Sequence, residues 1–250
     1  MKFVFNFFNF FEGKSLLDIF FPPSCIICGK LNKNYICEKC EKRFYRYKKF
    51  NIIDNQKLIK DKLNLNIKAE NFIQKYYLDG DNRYYWEKLF YCFEYTGIVR
   101  KYMIKYKFNG AAYISNFFAR QILKNKKASE ILKLYDIIIS VPMDKEKKIK
   151  RGYNQTELIT QIISKELEIL KGKNIVFKLK GTKTQSTLNK ENRKTNIKDV
   201  YFVNNNINIR NKKIILLDDI YTTGATVNEI SSKLKEAGAK EILVLIIAKN

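Results

Sequence analysis

The sequence predicts an α/β domain built on a parallel sheet, with a small cysteine-rich module ahead of it. From residue 88 onward, short and almost continuous apolar runs alternate with segments of helical periodicity, the pattern of strands that helices cover on both faces. Nearer the N-terminus, four cysteines fall in two closely spaced pairs. A chain of 250 residues, 46% of them hydrophobic, is long enough for one such domain and a small appendage.

The first 24 residues predict a short amphipathic helix. The stretch MKFVFNFFNFFEGKSLLDIFFPP is rich in aromatic residues, but Glu12, Lys14 and Asp18 interrupt it well before the roughly 20 apolar residues of a membrane span. It also lacks the small-residue cleavage site of a signal peptide. We therefore expect a helix that ends before Pro22 and packs on the main domain of a cytoplasmic protein. Surface association with the inner face of the membrane is the alternative.

Residues 25–45 predict a zinc-binding module. The segment CIICGKLNKNYICEKC contains two Cys-x-x-Cys pairs, and each pair can turn both thiolates toward one cation. Four sulfur ligands leave no position for water, so the predicted Zn²⁺ is structural. The short gap between the pairs favours a knuckle-like loop over a full ribbon. Disulfides or a redox pair are the alternatives, but neither a secretion signal nor a pair beside a βαβ unit supports them. The predicted ligands are Cys25, Cys28, Cys37 and Cys40.

The remaining chain predicts a connecting region and the main domain. Residues 46–87 are rich in Lys, Asn and Tyr and show no clear period, so we expect helices and turns there. Residues 88–250 form the predicted α/β domain, with Cys92 as a core residue. Its strands are expected in LFYCFEY, YDIIISVP, NIVFKL, KKIILL and EILVLIIA. Its helices are expected at 98–106, 111–123, 154–170 and 226–237. The apolar positions of the helix 154–170 are Leu158, Ile162, Ile163, Leu167 and Leu170.

The stretch IILLDDIYTTGAT, residues 214–226, carries the strongest functional signal. Ligands of an open parallel sheet bind beyond the carboxyl ends of its strands, and Asp218 and Asp219 follow the predicted strand at that end. Residues 221–226 then form a tight loop into a helix, whose free N–H groups favour an anion. Two adjacent carboxylates would repel a lone phosphate, so they indicate a sugar diol or Mg²⁺. A ribose 5-phosphate meets both requirements.

Composition limits the chemistry. The chain has no histidine, which excludes Ser-His-Asp and Cys-His catalysis and every His-ligated metal. The loop 214–226 contains neither Gly-x-Gly-x-x-Gly nor Gly-Lys-Ser/Thr, so it supports neither a dinucleotide fold nor a P-loop. The formal charge of +23 favours phosphates or nucleic acid as partners. A compositional bias toward Lys and Asn, with only 10 Gly and 3 Pro, is the competing explanation.

The same loop resembles the binding signature of type I phosphoribosyltransferases for phosphoribosyl pyrophosphate (PRPP). Together with SLLDIFFPPSCIICG, VPMDKEKKIKRGYNQTEL and TQSTLNKENRKTNIKDVYF, it identifies the chain as a member of the ComF family over nearly its full length. The resemblance implies a type I phosphoribosyltransferase fold, and a role in DNA uptake or the use of external DNA. Single-stranded DNA and DNA-uptake proteins are the implied partners. A metabolic phosphoribosyltransferase of nucleobase salvage is the alternative, which would not need the four-cysteine module.

The resemblance also implies roles for individual residues. Asp218 and Asp219 would hold the ribose hydroxyls, directly or through Mg²⁺, and form the catalytic set with Arg151. The 5-phosphate would bind the loop residues Tyr221, Thr222, Thr223, Gly224, Ala225 and Thr226.

Other candidates match family positions that contact pyrophosphate or belong to a mobile loop. The alternative for Asn154 is a helix N-cap paired with Glu157. For the loop residues the alternative is a solvated loop, and for the lysines it is a solvated helix end. The acceptor of the phosphoribosyl group is not implied. These candidates are Arg151, Gly152, Asn154, Gln155, Gln185, Arg193 and Asn196, together with Lys105 and Lys107 of a basic element.

Overall fold

The computed structural model describes residues 24–25, 27–32, 36–55, 84–108, 112–179 and 200–250. The chain divides into two compact units, Met1–Arg46 and Tyr47–Asn250. The helix predicted within residues 1–24 lies outside the described residues, as does most of the region 46–87. Among the helices of the described residues, none is long and apolar enough to cross a membrane.

In the first unit, a turn precedes a short helix. Ser24 and Leu31 form an isolated antiparallel bridge, and the N–H of Gly29 donates to the carbonyl of Cys25 at 2.7 Å. Helix α1 (Glu38–Tyr45) begins directly after Cys37. It has acidic residues in its first turn and basic residues in its last, which complements the helix dipole. The turn and the helix each carry one cysteine pair.

The second unit is built on a six-stranded sheet with a small second sheet beside it. The strands are β1 (Lys48–Asp54), β2 (Lys88–Glu94), β3 (Ile137–Ser140), β4 (Leu170–Lys171), β5 (Val176–Lys178), β6 (Tyr201–Val203), β7 (Lys213–Tyr221) and β8 (Glu241–Lys249). The order in the large sheet is β1-β2-β8-β7-β3-β4, with β1 antiparallel and every other pair parallel. The core of β7 and nearly all of β8 are apolar and buried, as expected of strands covered on both faces. The predicted α/β class is confirmed.

Helices cover this sheet. They are α2 (Gly97–Phe108), α3 (Ile114–Leu123), α4 (Lys126–Leu132), α5 (Lys145–Arg151), α6 (Gln155–Leu167) and α7 (Ala225–Glu236). Val227, Ile230 and Leu234 of α7 join one apolar cluster with alternate residues of β3, β7 and β8. Helix α6 contacts β3, β7 and α3 through a face that buries Ile159 and Ile163. Tertiary packing of these apolar faces, more than helix propensity, holds the elements in place.

The structure corrects several predicted elements. Residues 48–54 form a strand where helices were expected, because antiparallel pairing with β2 overrides local propensity. The predicted strand NIVFKL contributes β5, which pairs with β6 outside the parallel sheet. Helix α6 stops at Leu167, because Glu168 takes a left-handed conformation with φ of 57°. Leu170 therefore lies exposed on β4, and Ile159 takes the core position that the prediction did not include.

Candidate ligand-binding cleft and metal centre

A cleft of about 450 Å³ opens at the carboxyl end of the sheet, beside β7. Strand β3 ends at Ser140, which pairs with Leu217, and the next N–H, that of Val141, donates to the carbonyl of Leu217 at 2.9 Å. Strand β7 continues to Tyr221, still paired with β8. Residues 218–221 therefore border open space where β3 has stopped, and the acidic pair lies within β7 rather than after it.

Asp218 and Asp219 lie side by side on the wall of this cleft. The N–H of Asp219 donates to Oδ1 of Asp218 at 2.8 Å, and Nζ of Lys107 lies 2.8 Å from Oδ2 of Asp219. Burial raises the pKa of Asp218 and the charge of Asp219 raises it further, against the opposing effects of the Asp219 N–H and Lys107. The pair concentrates negative charge that a cation or hydrogen-bond donor must balance. In this structure Lys107 provides that balance.

Residues 222–226 lead from β7 into α7. Gly224 immediately precedes α7 and has φ of 77°. A Cβ at this position would lie 2.3 Å from the Tyr221 hydroxyl, so both the backbone and the space require glycine. The first turn of α7 contains no acidic residue, so nothing on the helix itself offsets the positive end of its dipole. The start of α7 lines the cleft and can accept an anion.

The segment 151–155 forms another part of the cleft wall. Arg151 ends α5, and Gly152, with φ of 80°, turns the chain toward α6. The guanidinium of Arg151 lies 5.0 Å from the ring centre of Phe108, a cation–π contact. Asn154 caps α6 by accepting from the N–H of Thr156 at 3.1 Å. Glu157 pairs with Lys148 at 3.0 Å instead of joining this cap. Arg151, Asn154 and Gln155 line the cleft, whereas Gly152 supplies only its backbone turn.

Gln155 is the fully buried polar residue of this wall. Its Oε1 accepts from Nη1 of Arg151 at 3.2 Å, which sets the orientation of the amide. Among the described residues its Nε2 has no hydrogen-bond partner. A buried donor without a partner costs about 1–3 kcal/mol. A ligand that brings an acceptor to this point would therefore remove an existing penalty.

Two tyrosines join α2 to the same wall. Oη of Tyr106 donates to the carbonyl of Gln155 at 2.7 Å, and Oη of Tyr153 donates to the carbonyl of Tyr106. Burial raises the pKa of both tyrosines, so each stays a neutral donor. These hydrogen bonds hold the last turn of α2, which carries Lys107, beside the cleft.

An ionic group that the sequence analysis missed lies on the same cleft. Asp144 pairs with Lys178 of β5 at 2.9 Å and with Lys147 at 3.4 Å. Burial alone would raise the pKa of Asp144, but the two lysines outweigh it and lower the pKa. Asp144 stands in the ComF-like segment VPMDKEKKIKRGYNQTEL, which was an available signal. Lys178 and Tyr201 had no comparable signal, because they reach the cleft on the small antiparallel sheet.

The remaining predicted site residues are three positions between β5 and β6 and the two lysines of the basic element. Gln185, Arg193 and Asn196 lie outside the described residues, between β5 and β6. Of the two lysines in the basic element, Lys107 lines the cleft and Lys105 is not among its lining residues.

The predicted metal ligands converge in the first unit. Their Sγ atoms all lie within 4.8 Å of one another, and none of the four forms a disulfide. Burial alone would raise the pKa of Cys25, but backbone N–H groups of the cysteine-bearing segments lower it, whereas burial and the neighbouring thiols raise the pKa of Cys40. The chain has five cysteines and no histidine, and Cys92 is buried in β2 as predicted. The cysteines therefore form one four-sulfur site, which comprises Cys25, Cys28, Cys37 and Cys40.

Comparison with protein families agrees with both parts of this description. Residues 110–250 match the family described as "Phosphoribosyl transferase domain". Residues 16–50 match the family described as "Double zinc ribbon domain". The second match makes the expectation of a knuckle-like loop wrong. The chain is thus a phosphoribosyltransferase-type α/β domain preceded by a zinc ribbon with a structural Zn²⁺ site.

Similarity to curated proteins identifies the family within this class of protein. "Competence protein F" of Haemophilus influenzae is 33% identical over 168 residues, which is 66% of this chain and 73% of that protein. "DNA utilization protein YhgH" of Shigella flexneri is 28% identical over 167 residues, again 66% and 73%. "Competence protein ComFC" of Streptococcus pneumoniae is 29% identical over 153 residues, 60% of this chain and 63% of that protein. The chain belongs to the ComF family.

Proposed function

We propose that this protein binds PRPP, or a related ribose 5-phosphate, together with Mg²⁺ in the cleft beside β7, and that it does so during DNA uptake or the use of external DNA. The observation that carries the proposal is the order of features along one segment. Asp218 and Asp219 lie near the end of β7, and the short loop after β7 leads to the start of α7, which can accept an anion. A ribose carrying a 5-phosphate presents hydroxyl donors to the first and an anion to the second.

The acidic pair suits a hard cation. Mg²⁺ prefers carboxylate oxygens, and Asp219 already balances its charge with an ammonium group at 2.8 Å. Asp218 and Asp219 would hold the ion or the ribose hydroxyls. When bound, Mg²⁺ would neutralise charge on the pyrophosphate. The hydroxyls and N–H groups of 222–226 would hold the 5-phosphate.

The segment 151–155 would receive the pyrophosphate. Arg151 provides a permanently charged fork of donors, and the Nε2 of Gln155, which has no partner among the described residues, provides a neutral one. The cation–π contact with Phe108 and the hydrogen bond to Gln155 orient the guanidinium before a ligand arrives. Pre-orientation of this kind lowers the ordering cost of binding.

The reaction implied is substitution at the anomeric carbon of the ribose. The bond from C1 to the pyrophosphate oxygen breaks and its electron pair leaves on pyrophosphate. A nucleophilic atom of the acceptor forms the new bond to C1, and the acceptor's proton passes to solvent. The protein's contribution is positioning of the ribose by Asp218 and Asp219 and stabilisation of the departing charge by Arg151. Nucleobase salvage would use the same chemistry, but the zinc ribbon and the competence-protein relatives favour the role linked to DNA.

The first unit offers a surface suited to single-stranded DNA. Helix α1 and the residue after it carry four exposed basic side chains along one open surface, Lys39, Lys42, Arg43 and Arg46, beside a single acidic residue, Glu38. Such a surface would bind phosphates without reading sequence. Binding of a labelled oligonucleotide should weaken steeply with salt, and substitution of these four residues by glutamine should reduce the slope of log affinity against log salt. An unchanged slope would contradict this role.

The ligand proposal is tested by the double substitution Asp218→Asn with Asp219→Asn. It should abolish PRPP binding in calorimetry while circular dichroism reports a folded protein. Asp136→Asn is the control, because Asp136 accepts from the N–H of Lys213 at the start of β7, the far end of the strand from the acidic pair. Undiminished binding by the double variant would refute the assignment of the acidic pair to the ribose or its metal.

A further inference from the structure

Lys107 is a charged residue of the cleft that pairs with the proposed ligand-binding carboxylates but has no role in the proposed function. It stands in the last turn of α2, and its ammonium group lies 2.8 Å from Oδ2 of Asp219. The two side chains are only 21% and 16% exposed, so solvent screens their attraction weakly. The ammonium group thus stands on an oxygen that a divalent cation would need.

We propose that Lys107 prevents free divalent cations from binding the acidic pair, and that its ammonium group moves to the phosphate oxygens of the ligand when a metal–ligand complex binds. The inference rests on the proposed function and concerns the order in which metal and ligand bind. A divalent ion that approaches Asp219 alone meets the positive charge of Lys107 within a few ångströms and must displace it. A metal that arrives on a pyrophosphate brings negative oxygens that can accept the displaced ammonium group.

Two features of the structure support a transfer of this kind. The first is the anchoring of the helix end: Tyr106 and Tyr153 fix the backbone beside Lys107, so only the flexible side chain needs to move. The second is the fully buried Gln155, whose Nε2 has no partner among the described residues. An acceptor is missing there, which independently points to a ligand that carries acceptor oxygens.

The charges along the cleft agree with this assignment. Asp144 is already balanced by Lys178 and Lys147, so those lysines are committed to their own carboxylate. Arg151 contacts the neutral Gln155 and the ring of Phe108. Lys107 is thus the lysine that the structure assigns to the acidic pair, and a ligand that takes the pair must give it new partners.

The test compares binding of Mn²⁺ alone, followed by electron paramagnetic resonance, with binding of PRPP in the presence of Mg²⁺, followed by calorimetry. Lys107→Gln should bind free Mn²⁺ at least tenfold more tightly than the wild type and PRPP at least tenfold more weakly. Lys107→Arg keeps the charge and should retain weak Mn²⁺ binding. Lys101→Gln is the matched control, because Lys101 is an exposed lysine of the same helix.

The outcomes separate this inference from the proposed function. Equal Mn²⁺ affinities for the wild type and Lys107→Gln would overturn the inference, and so would tighter Mn²⁺ binding with undiminished PRPP affinity. If Lys107→Gln does not fold, Lys107→Met provides the same loss of charge for the same comparison. Failure of the wild type to bind PRPP would overturn the proposed function, while the Mn²⁺ comparison would still decide whether Lys107 excludes free cations.

Discussion

The substitution Gln155→Leu should weaken ligand binding without lowering the stability of the protein. The leucine side chain is close in size to glutamine and fills the same buried space, but it removes the Nε2 donor that has no partner among the described residues. The free protein should lose the penalty of that donor, about 1–3 kcal/mol, and also the charge-assisted hydrogen bond from Arg151, about 1.5–3 kcal/mol, so the two effects nearly cancel. Because Arg151 is only partly buried, water can replace the lost acceptor.

The bound state should show the loss of affinity. A hydrogen bond from Nε2 to a charged phosphate oxygen contributes about 1.5–3 kcal/mol, so its loss should weaken PRPP binding by roughly 10-fold to 150-fold. Urea denaturation measures the free energy of unfolding, and calorimetry measures the affinity. The expected result is an unchanged or slightly raised free energy of unfolding together with the loss of affinity.

Gln121→Leu provides the matched control for this prediction. Gln121 is also buried, but its Oε1 accepts from Nζ of Lys48 at 3.0 Å. Its replacement should therefore lower the free energy of unfolding by about 1–2 kcal/mol and leave the affinity for PRPP unchanged. If Gln155→Leu destabilises the protein as Gln121→Leu does and binds PRPP normally, the reasoning about the unpaired donor is refuted.

Three further predictions concern the loop, the metal and one carboxylate. Gly224→Ala should destabilise the protein more than Gly152→Ala. Both positions have positive φ, but only a Cβ at position 224 would meet another side chain, that of Tyr221. Equal unfolding midpoints would contradict this. Removal of Zn²⁺ by a chelator should abolish amide-exchange protection in residues 25–45 and leave β7 and β8 protected, whereas uniform protection with and without chelator would argue against a structural metal. Burial alone would raise the pKa of Glu241, but Lys88 and Tyr135 lower it to about 2. The substitution Glu241→Gln should therefore lower the free energy of unfolding above about pH 4.3, and the difference from the wild type should disappear as the pH falls toward 2. A pH-independent difference in urea midpoints would contradict this.

The sequence predicted the elements whose signals are local. Strand β8 and the buried part of β7 are continuous apolar runs, so their positions followed directly from hydrophobic pattern. The sulfur cluster followed from spacing, because two Cys-x-x-Cys pairs can close on one ion. The acidic pair and the loop 222–226 followed from their residue types and from the buried run that precedes Asp218, although β7 continues to Tyr221.

What the sequence did not predict depends on pairing between distant segments. Strand β1 has a polar, weakly patterned sequence and is a strand only because β2 pairs with it. Lys178 and Tyr201 reach the cleft because a three-residue strand from each side pairs outside the main sheet. The contact between Lys107 and Asp219 joins positions 112 residues apart in the chain, and no local pattern signals such a contact.

Calorimetric titration of the zinc-loaded protein with PRPP, with and without Mg²⁺, tests the central claim most directly. We expect binding at micromolar concentrations that requires Mg²⁺ and disappears in the Asp218→Asn, Asp219→Asn double variant. Absence of heat in protein that is folded and zinc-loaded would contradict the claim that this cleft is a ribose phosphate site.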